Sequence, residues 1–336
     1  MKGRYLVKIS RRNVDYELDI ERPVTIIKGN SGTGKTTIIQ TLLGFLEQGK
    51  KSGAKVSITP EVQCSVFTNR THWEQELSSL NNCIIFVDES VDYVYSEGFQ
   101  KAFCASDNYL VVISRSGEFN CLPYAINSIF ELQTSANGTS FLTRMYRVFE
   151  QTKSQLHFDN VITEDSKSGM EIAKLNFKCP VITSNGNGNV MHYVAALEKN
   201  VSAAVIVDGA AFGGFIERTL HCAKLQGHTT IFAPESFECI LLQTEGYYRY
   251  VIEQLTHTWD YCDSATFLTW EQYYTNLLEQ KTQTLYGFKY SKNTLQDSFR
   301  SDKILHVYNK CVISSAVVRA DKCEAVSKTL RNMSVF

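Results

Sequence analysis

The stretch Gly29-Asn30-Ser31-Gly32-Thr33-Gly34-Lys35-Thr36-Thr37 constrains this chain more than any other. From Gly29 to Thr36 it fits the pattern G-x-x-x-x-G-K-[ST]. A polyphosphate is densely charged and needs several backbone N–H groups aimed at it. Only a glycine-rich loop wraps that closely without Cβ clashes. Lys35 would then reach the β- and γ-phosphates, and the Thr36 hydroxyl would ligate Mg²⁺. The helix that follows would add its positive N-terminal end. The flanks agree with this reading. Val24-Thr25-Ile26-Ile27-Lys28 reads as a short buried strand, and Ile38, Ile39, Leu42, Leu43 and Leu46 recur at helical spacing. Strand, glycine loop and helix in that order predict a nucleoside triphosphate held by residues 29–37.

A second stretch says what happens to the triphosphate. Cys83-Ile84-Ile85-Phe86-Val87-Asp88-Glu89 is an apolar strand that ends in two carboxylates, the Walker B form. Asp88 would hold Mg²⁺ through its water shell, and Glu89 would orient and polarise the attacking water. Small-molecule kinases with such a loop do not need a water-activating Glu directly after the metal-binding Asp; hydrolases do. Residues 107–115 read as another buried strand, ending in Ser114 and Arg115. Ser114 is the candidate sensor of the γ-phosphate and Arg115 the second choice, against a plain turn residue and a surface charge. GTPases of the translation-factor type carry an Asp-x-x-Gly switch and an Asn-Lys-x-Asp guanine reader. Here Asp88 is followed by Glu89-Ser90-Val91, and the Asn-Lys step is Asn309-Lys310-Cys311-Val312. The expected ligand is therefore ATP with Mg²⁺.

Residues 5–9 and 14–20 read as two strands joined by a turn, leading into the loop strand. Together with the loop and the acid pair they resemble the start of ABC-type and SMC-type ATPase heads. The Leu-Ser-Gly-Gly-Gln signature of those heads does not occur, and only about fifty residues separate Lys35 from Asp88. The resemblance thus implies a minimal ATPase core. The chain also resembles uncharacterised proteins labelled translation initiation factor 2, a label that its motifs do not support.

Between these motifs, residues 56–59 and 64–67 read as short strands and 70–80 as a helix. Residues 126–149 read as two closing strands around the turn at 134–139, and 151–158 as a polar connector. The first domain is placed at 1–155. Beyond it, strands are expected at 160–165, 180–183, 203–208 and 229–233, with helices at 166–175, 190–199 and 215–226 between them. This alternation predicts a parallel sheet, whose ligands sit beyond the carboxyl ends of the strands. Acids stand at those ends: Glu164, Asp208, and Glu235 or Glu238.

That arrangement resembles the TOPRIM domain of topoisomerases, primases and OLD-family nucleases. There a Glu after the first strand and an Asp-x-Asp after a later one hold Mg²⁺ for phosphodiester chemistry. The resemblance maps the first position to Glu164 and the first Asp to Asp208, with Glu235 or Glu238 completing a second metal site. It departs at Asp208-Gly209-Ala210, where Ala210 replaces the second Asp, and at Asp165, where a Gly is usual. An ATPase head joined to a TOPRIM module is also the plan of OLD-type proteins. The second domain is placed at 156–245, TOPRIM-like and Rossmann-like. A mainly helical extension follows at 246–336, where Trp270, Tyr273, Tyr274, Leu277 and Leu278 share one apolar face. Lys281, Lys289, Lys292 and Arg300 would line a groove or, by default, a solvated face.

The composition allows this two-domain α/β reading: 336 residues, 43% hydrophobic and 21% charged. A net charge of −1 advertises no nucleic-acid partner globally, though local patches would suffice. Ten cysteines form no C-x-x-C pair and read as reduced, mostly buried thiols. No signal peptide is visible, and the apolar run at 201–215 is interrupted by Asp208 and glycines, so a cytoplasmic protein without a membrane span is expected. The leading functional expectation is an ATPase gating a nucleic-acid-directed second domain, acting on DNA or RNA as a nuclease. The alternative is an ATP-dependent regulator whose second domain binds a partner protein or a second copy and does no chemistry. A P-loop kinase ranks third.

Overall fold

The computed structural model describes residues 1–320 apart from 13, 30, 31, 116–118, 120 and 150–156. The chain is mixed α/β. Its contacts divide it into Met1–Met145 with His257–Thr269, and Tyr146–Thr256 with the chain from Trp270 onward.

The first unit is laid on one sheet. Its strands are β1 (Tyr5–Arg11), β2 (Val14–Ile20), β3 (Val24–Lys28), β4 (Ala54–Thr59), β5 (Gln63–Phe67), β6 (Cys83–Asp88), β7 (Tyr109–Ile113), β8 (Ile129–Thr134) and β9 (Thr139–Arg144). They lie in the order β4-β1-β2-β9-β8-β3-β7-β6-β5. The five strands from β8 to β5 run parallel. All of β3 and β7, and β6 up to Val87, are buried. This is why those sequences are continuous β-branched runs rather than alternating ones. β2 does alternate: Tyr16, Leu18 and Ile20 point inward between more exposed acids.

Helix α1 (Lys35–Gln48) covers this sheet. Ile38 and Leu42 are fully buried among Val7, Ile9, Leu18, Ile84 and Phe86. Each such side chain contributes roughly 1.5–3 kcal/mol. Leu46, expected on the same face, is exposed at the far end of the helix. Helices α2 (Trp73–Ser79) and α3 (Glu97–Cys104) complete the connections, with Ser96 capping α3 through Phe99 N–H.

Residues 126–149 read in sequence as two strands; the structure has three. After β9 the chain forms β10 (Tyr146–Phe149), which belongs to a second, six-stranded sheet. The other strands of that sheet are β11 (Asn160–Thr163), β12 (Val181–Thr183), β13 (Ala203–Ile206), β14 (Thr229–Phe232) and β15 (Ala316–Arg319), ordered β10-β15-β14-β13-β11-β12. β12, β11, β13 and β14 are parallel. β15 pairs antiparallel with both β14 and β10. It is a strand in a segment whose periodicity reads as mainly helical.

The helices of this part are α4 (Ser168–Asn176), α5 (Asn187–Ala195), α6 (Ile216–Gln226), α7 (Phe237–Leu242) and α8 (Glu245–Thr256). The short α9 (Thr258–Tyr261) belongs to the first unit; α10 (Trp270–Tyr286) and α11 (Asp302–Ile313) return to the second. The expected apolar face of α10 is buried in full. The returning segment is stitched to the start of the first unit: Gly3 N–H donates to Trp259 O at 2.7 Å and Ser264 N–H to Met1 O at 2.8 Å. No described helix is long and apolar enough to cross a membrane.

Candidate functional site

In the first unit, the site is built at the carboxyl ends of β3, β7 and β6, in that spatial order. Ile27, Ile113 and Asp88 are aligned in one row across the three strands. One residue further on stand Lys28, Ser114 and Glu89. The chain leaving β3 turns through Gly29, Gly32 and Gly34, all with positive φ, which a side chain would strain. Gly34 has a second requirement. A Cβ there would lie 2.8 Å from the Tyr16 hydroxyl, which donates to Gly34 O at 3.0 Å.

Lys35 begins α1 and is buried, its side chain folded back over the loop. The ammonium donates to Gly29 O at 2.6 Å and to Thr33 Oγ1 at 2.9 Å. Burial lowers its pKa; Glu89 and Asp88 oppose that shift and Arg115 adds to it. Thr36 is exposed on the first turn of α1 and Thr37 is half-buried. Asn30 and Ser31 lie outside the described residues.

Asp88 Oδ1 accepts from Ser90 N–H at 3.0 Å, which fixes the turn after β6. Glu89 is held at both oxygens by one residue. Arg115 Nε lies 2.7 Å from Oε1, and Arg115 N–H donates to Oε2 at 2.7 Å. Ser114 is fully buried, with its hydroxyl 3.3 Å from that of Tyr95. Lys35, Ser114, Asp88 and Glu89 are thus brought to one edge of the sheet. Sequence reasoning missed Tyr16, although its inward place in an alternating strand marked it as packed against whatever follows β3. Arg115, the second choice from sequence, is the residue that grips Glu89.

The second unit has a cleft of ≈ 340 Å³ beyond the carboxyl ends of β11, β13 and β14. Glu164, Asp208, Glu238, Glu271 and Lys292 line it. Glu235 does not line this cleft; its position in the acid set is taken by Glu238, inside α7, because Ser236 caps that helix through Cys239 N–H and turns the following residues inward. Gly209 lets the Asp208 turn pass close to the next strand end, since a Cβ there would meet the Ala233 and Pro234 carbonyls at 2.9 Å. Asp165 serves the backbone instead, accepting from Lys167 and Gly169 N–H and so starting α4.

Each acid already has protein donors. Glu164 Oε2 accepts from Asp208 N–H at 3.1 Å, and Asn187, with its amide turned nitrogen-first, donates to the same carboxylate. Asp208 Oδ1 accepts from Phe237 N–H at 3.2 Å. Glu238 Oε1 accepts from the Tyr290 hydroxyl at 3.2 Å and lies 3.5 Å from Lys292 Nζ. Lys292 Nζ lies 2.5 Å from Glu271 Oε1. Burial pushes Glu164 up to about 7 and raises Asp208 and Glu238 as well. Among the described residues, no group of three or more His, Cys, Asp or Glu side chains is spaced to hold a metal ion. Sequence reasoning did not bring Glu271, Tyr290 and Lys292 to this site. They come from α10 and the loop after it, and no local pattern ties them to the strand ends.

The fold and these two sites define a mixed α/β protein with polar and charged side chains gathered at the carboxyl ends of two mostly parallel sheets. No family model, curated protein or solved structure matches the chain.

Proposed function

We propose that the first unit binds Mg·ATP and hydrolyses it. The observation that carries this reading is the row across β3, β7 and β6, which puts the start of the Lys35 loop, Ser114, and Asp88 with Glu89 at adjoining strand ends. The strand between loop and acid pair supplies Ser114 where the end of a phosphate chain would lie. Gly29 O and Thr33 Oγ1, which now satisfy the Lys35 ammonium, are the contacts that phosphate oxygens would replace. The exposed Thr36 hydroxyl and Asp88 fit a Mg²⁺ ion by donor type, both being oxygen ligands. Bound there, the ion would neutralise charge on the phosphates. Glu89 is the base for water and must leave its double contact with Arg115 to act. The test is Glu89→Gln. Turnover should fall at least 100-fold, the lower range for loss of a general base, while binding of a fluorescent ATP analogue persists. Loss of analogue binding in the wild type would overturn the reading.

For the second unit the sequence leaves a nuclease and a non-catalytic partner-binding module. The Lys292 ammonium among the acids favours the second: ATP turnover in the first unit controlling what the second unit binds, with nucleic acid, a protein or a second copy as the partner. Plasmid DNA and mixed RNA incubated with Mg²⁺ or Mn²⁺, with and without ATP, test this. Cleavage abolished by Asp208→Ala would restore the nuclease.

A further inference from the structure

A divalent ion is what the strand-end acids of the second unit resemble a site for. With Lys292 among them, the residues present do not fit one. Ala210 stands where a further carboxylate would be needed. Glu164 is occupied by Asp208 N–H and by Asn187, and Asp208 by Phe237 N–H. These bonds fix the carboxylates but leave lone pairs on each, so what excludes a second cation is the charge already seated among them.

Charge has nevertheless been supplied. Lys292 reaches into the cleft from the loop after α10, its Nζ 2.5 Å from Glu271 and 3.5 Å from Glu238. Its attraction is felt at Asp208 and Glu164. The backbone that carries it is pinned in place, since Lys292 O accepts from Ser168 N–H at the start of α4. Tyr290, two residues earlier, is buried and holds Glu238 from the same loop. The loop therefore delivers one ammonium and one hydroxyl to the acid cluster. Glu238 Oε2, buried and without a hydrogen-bond partner, is the remaining demand for positive charge.

We propose that Lys292 is the resident cation of this cleft and stands in for a divalent ion, so that the second unit works without bound metal. An ammonium on a tether has a fixed position and no open coordination sites. It can hold acids together and orient a partner, but it cannot polarise a phosphodiester and a water at once as a metal can.

Mn²⁺ binding to the full chain without nucleotide tests the proposal, followed by electron paramagnetic resonance of the free ion, with Asp88→Ala as the background to silence the first unit. Wild-type Lys292 should show no Mn²⁺ uptake that depends on Asp208. Lys292→Met and the milder Lys292→Gln should each gain about one Mn²⁺ per chain, lost again on adding Asp208→Asn. Uptake by the wild type that Asp208→Asn abolishes would overturn the proposal. So would a folded Lys292 variant that takes up no Mn²⁺. Should both variants fail to fold, refolding them with Mn²⁺ decides: recovery supports the substitution of one cation for the other, and no recovery counts against it. None of these outcomes bears on ATP turnover, which is measured separately in the unmodified chain.

Discussion

Replacing Glu164 by Gln should remove a distinct share of the pH dependence of the second unit's stability near neutrality. Burial in the cleft is the main reason that this carboxyl rises from 4.5 to about 7; the Asp208 N–H bond opposes the rise, Glu271 and Asp165 add to it, and Lys292 opposes it. Below pH 4.5 the group holds its proton folded or unfolded, and the associated stability is fully present. Between 4.5 and 7 the unfolded chain gives up the proton while the folded chain keeps it, so stability falls as pH rises and the loss is complete above 7. The span corresponds to about 3 kcal/mol at most, at about 1.4 kcal/mol per unit of pKa, because water entering the cleft screens part of it. Asp208 is pushed the same way, so the quantity to read is the difference between variant and wild type. Trp270 is buried in the second unit, whereas Trp73 and Trp259 belong to the first. With the latter two changed to Phe, Trp270 fluorescence follows urea unfolding of the second unit alone. Between pH 5 and 8 the wild type should lose up to about 3 kcal/mol relative to Glu164→Gln. Parallel curves for the two proteins would refute a buried carboxyl that ionises only near neutrality.

Other perturbations probe the first unit. Gly34→Ala forces an L side chain into φ +85° and against the Tyr16 hydroxyl; strain of about 1–2 kcal/mol and a displaced hydrogen bond of about 1 kcal/mol should appear in urea unfolding followed by Trp73. In a Tyr16→Phe background the cost should shrink by about the hydrogen-bond share, and an unchanged cost would show that the hydroxyl is irrelevant. Arg115→Ala should release one oxygen of Glu89 and raise basal ATP turnover by up to about fivefold, the range of an exposed ion pair; a drop in turnover would instead place Arg115 on the phosphates. Leu42→Ala should cost about 2–5 kcal/mol of first-unit stability through the cavity left under α1, and a change below about 1 kcal/mol would mean that α1 does not seal the sheet.

Much of the first site is legible in sequence because each of its main parts is a short contiguous run. A loop that must have positive φ needs glycines, a strand buried on both faces needs an unbroken apolar run, and the acids that end such a strand stand out against it. The second site is legible only by half. Glu164 and Asp208 follow their strands directly, so strand–helix alternation places them together. Glu238 rather than Glu235 joins them because a Ser236 cap sets the phase of a six-residue helix, which no periodicity over so few residues reveals. Lys292 and Glu271 lie outside the alternating segment and arrive through tertiary contacts. By charge alone Lys292 reads as one of several solvated lysines. The same holds for β10 and β15, whose antiparallel pairing joins residues far apart in sequence.

The return of His257–Thr269 to the first unit also governs how the molecule can be made. Ser264 donates through its hydroxyl to Asp107 O at 3.0 Å as well as through its N–H to Met1 O. A ribosome that has delivered the whole nine-stranded sheet must therefore add about 120 further residues before this closing segment exists. At 5–20 residues per second that is a delay of roughly 6–25 s. During it the nascent first unit lacks its last contacts while the second is still being threaded out. Truncation after Met145 would trap the chain in that unfinished condition, so the two units are separable by contact but not by the order of synthesis.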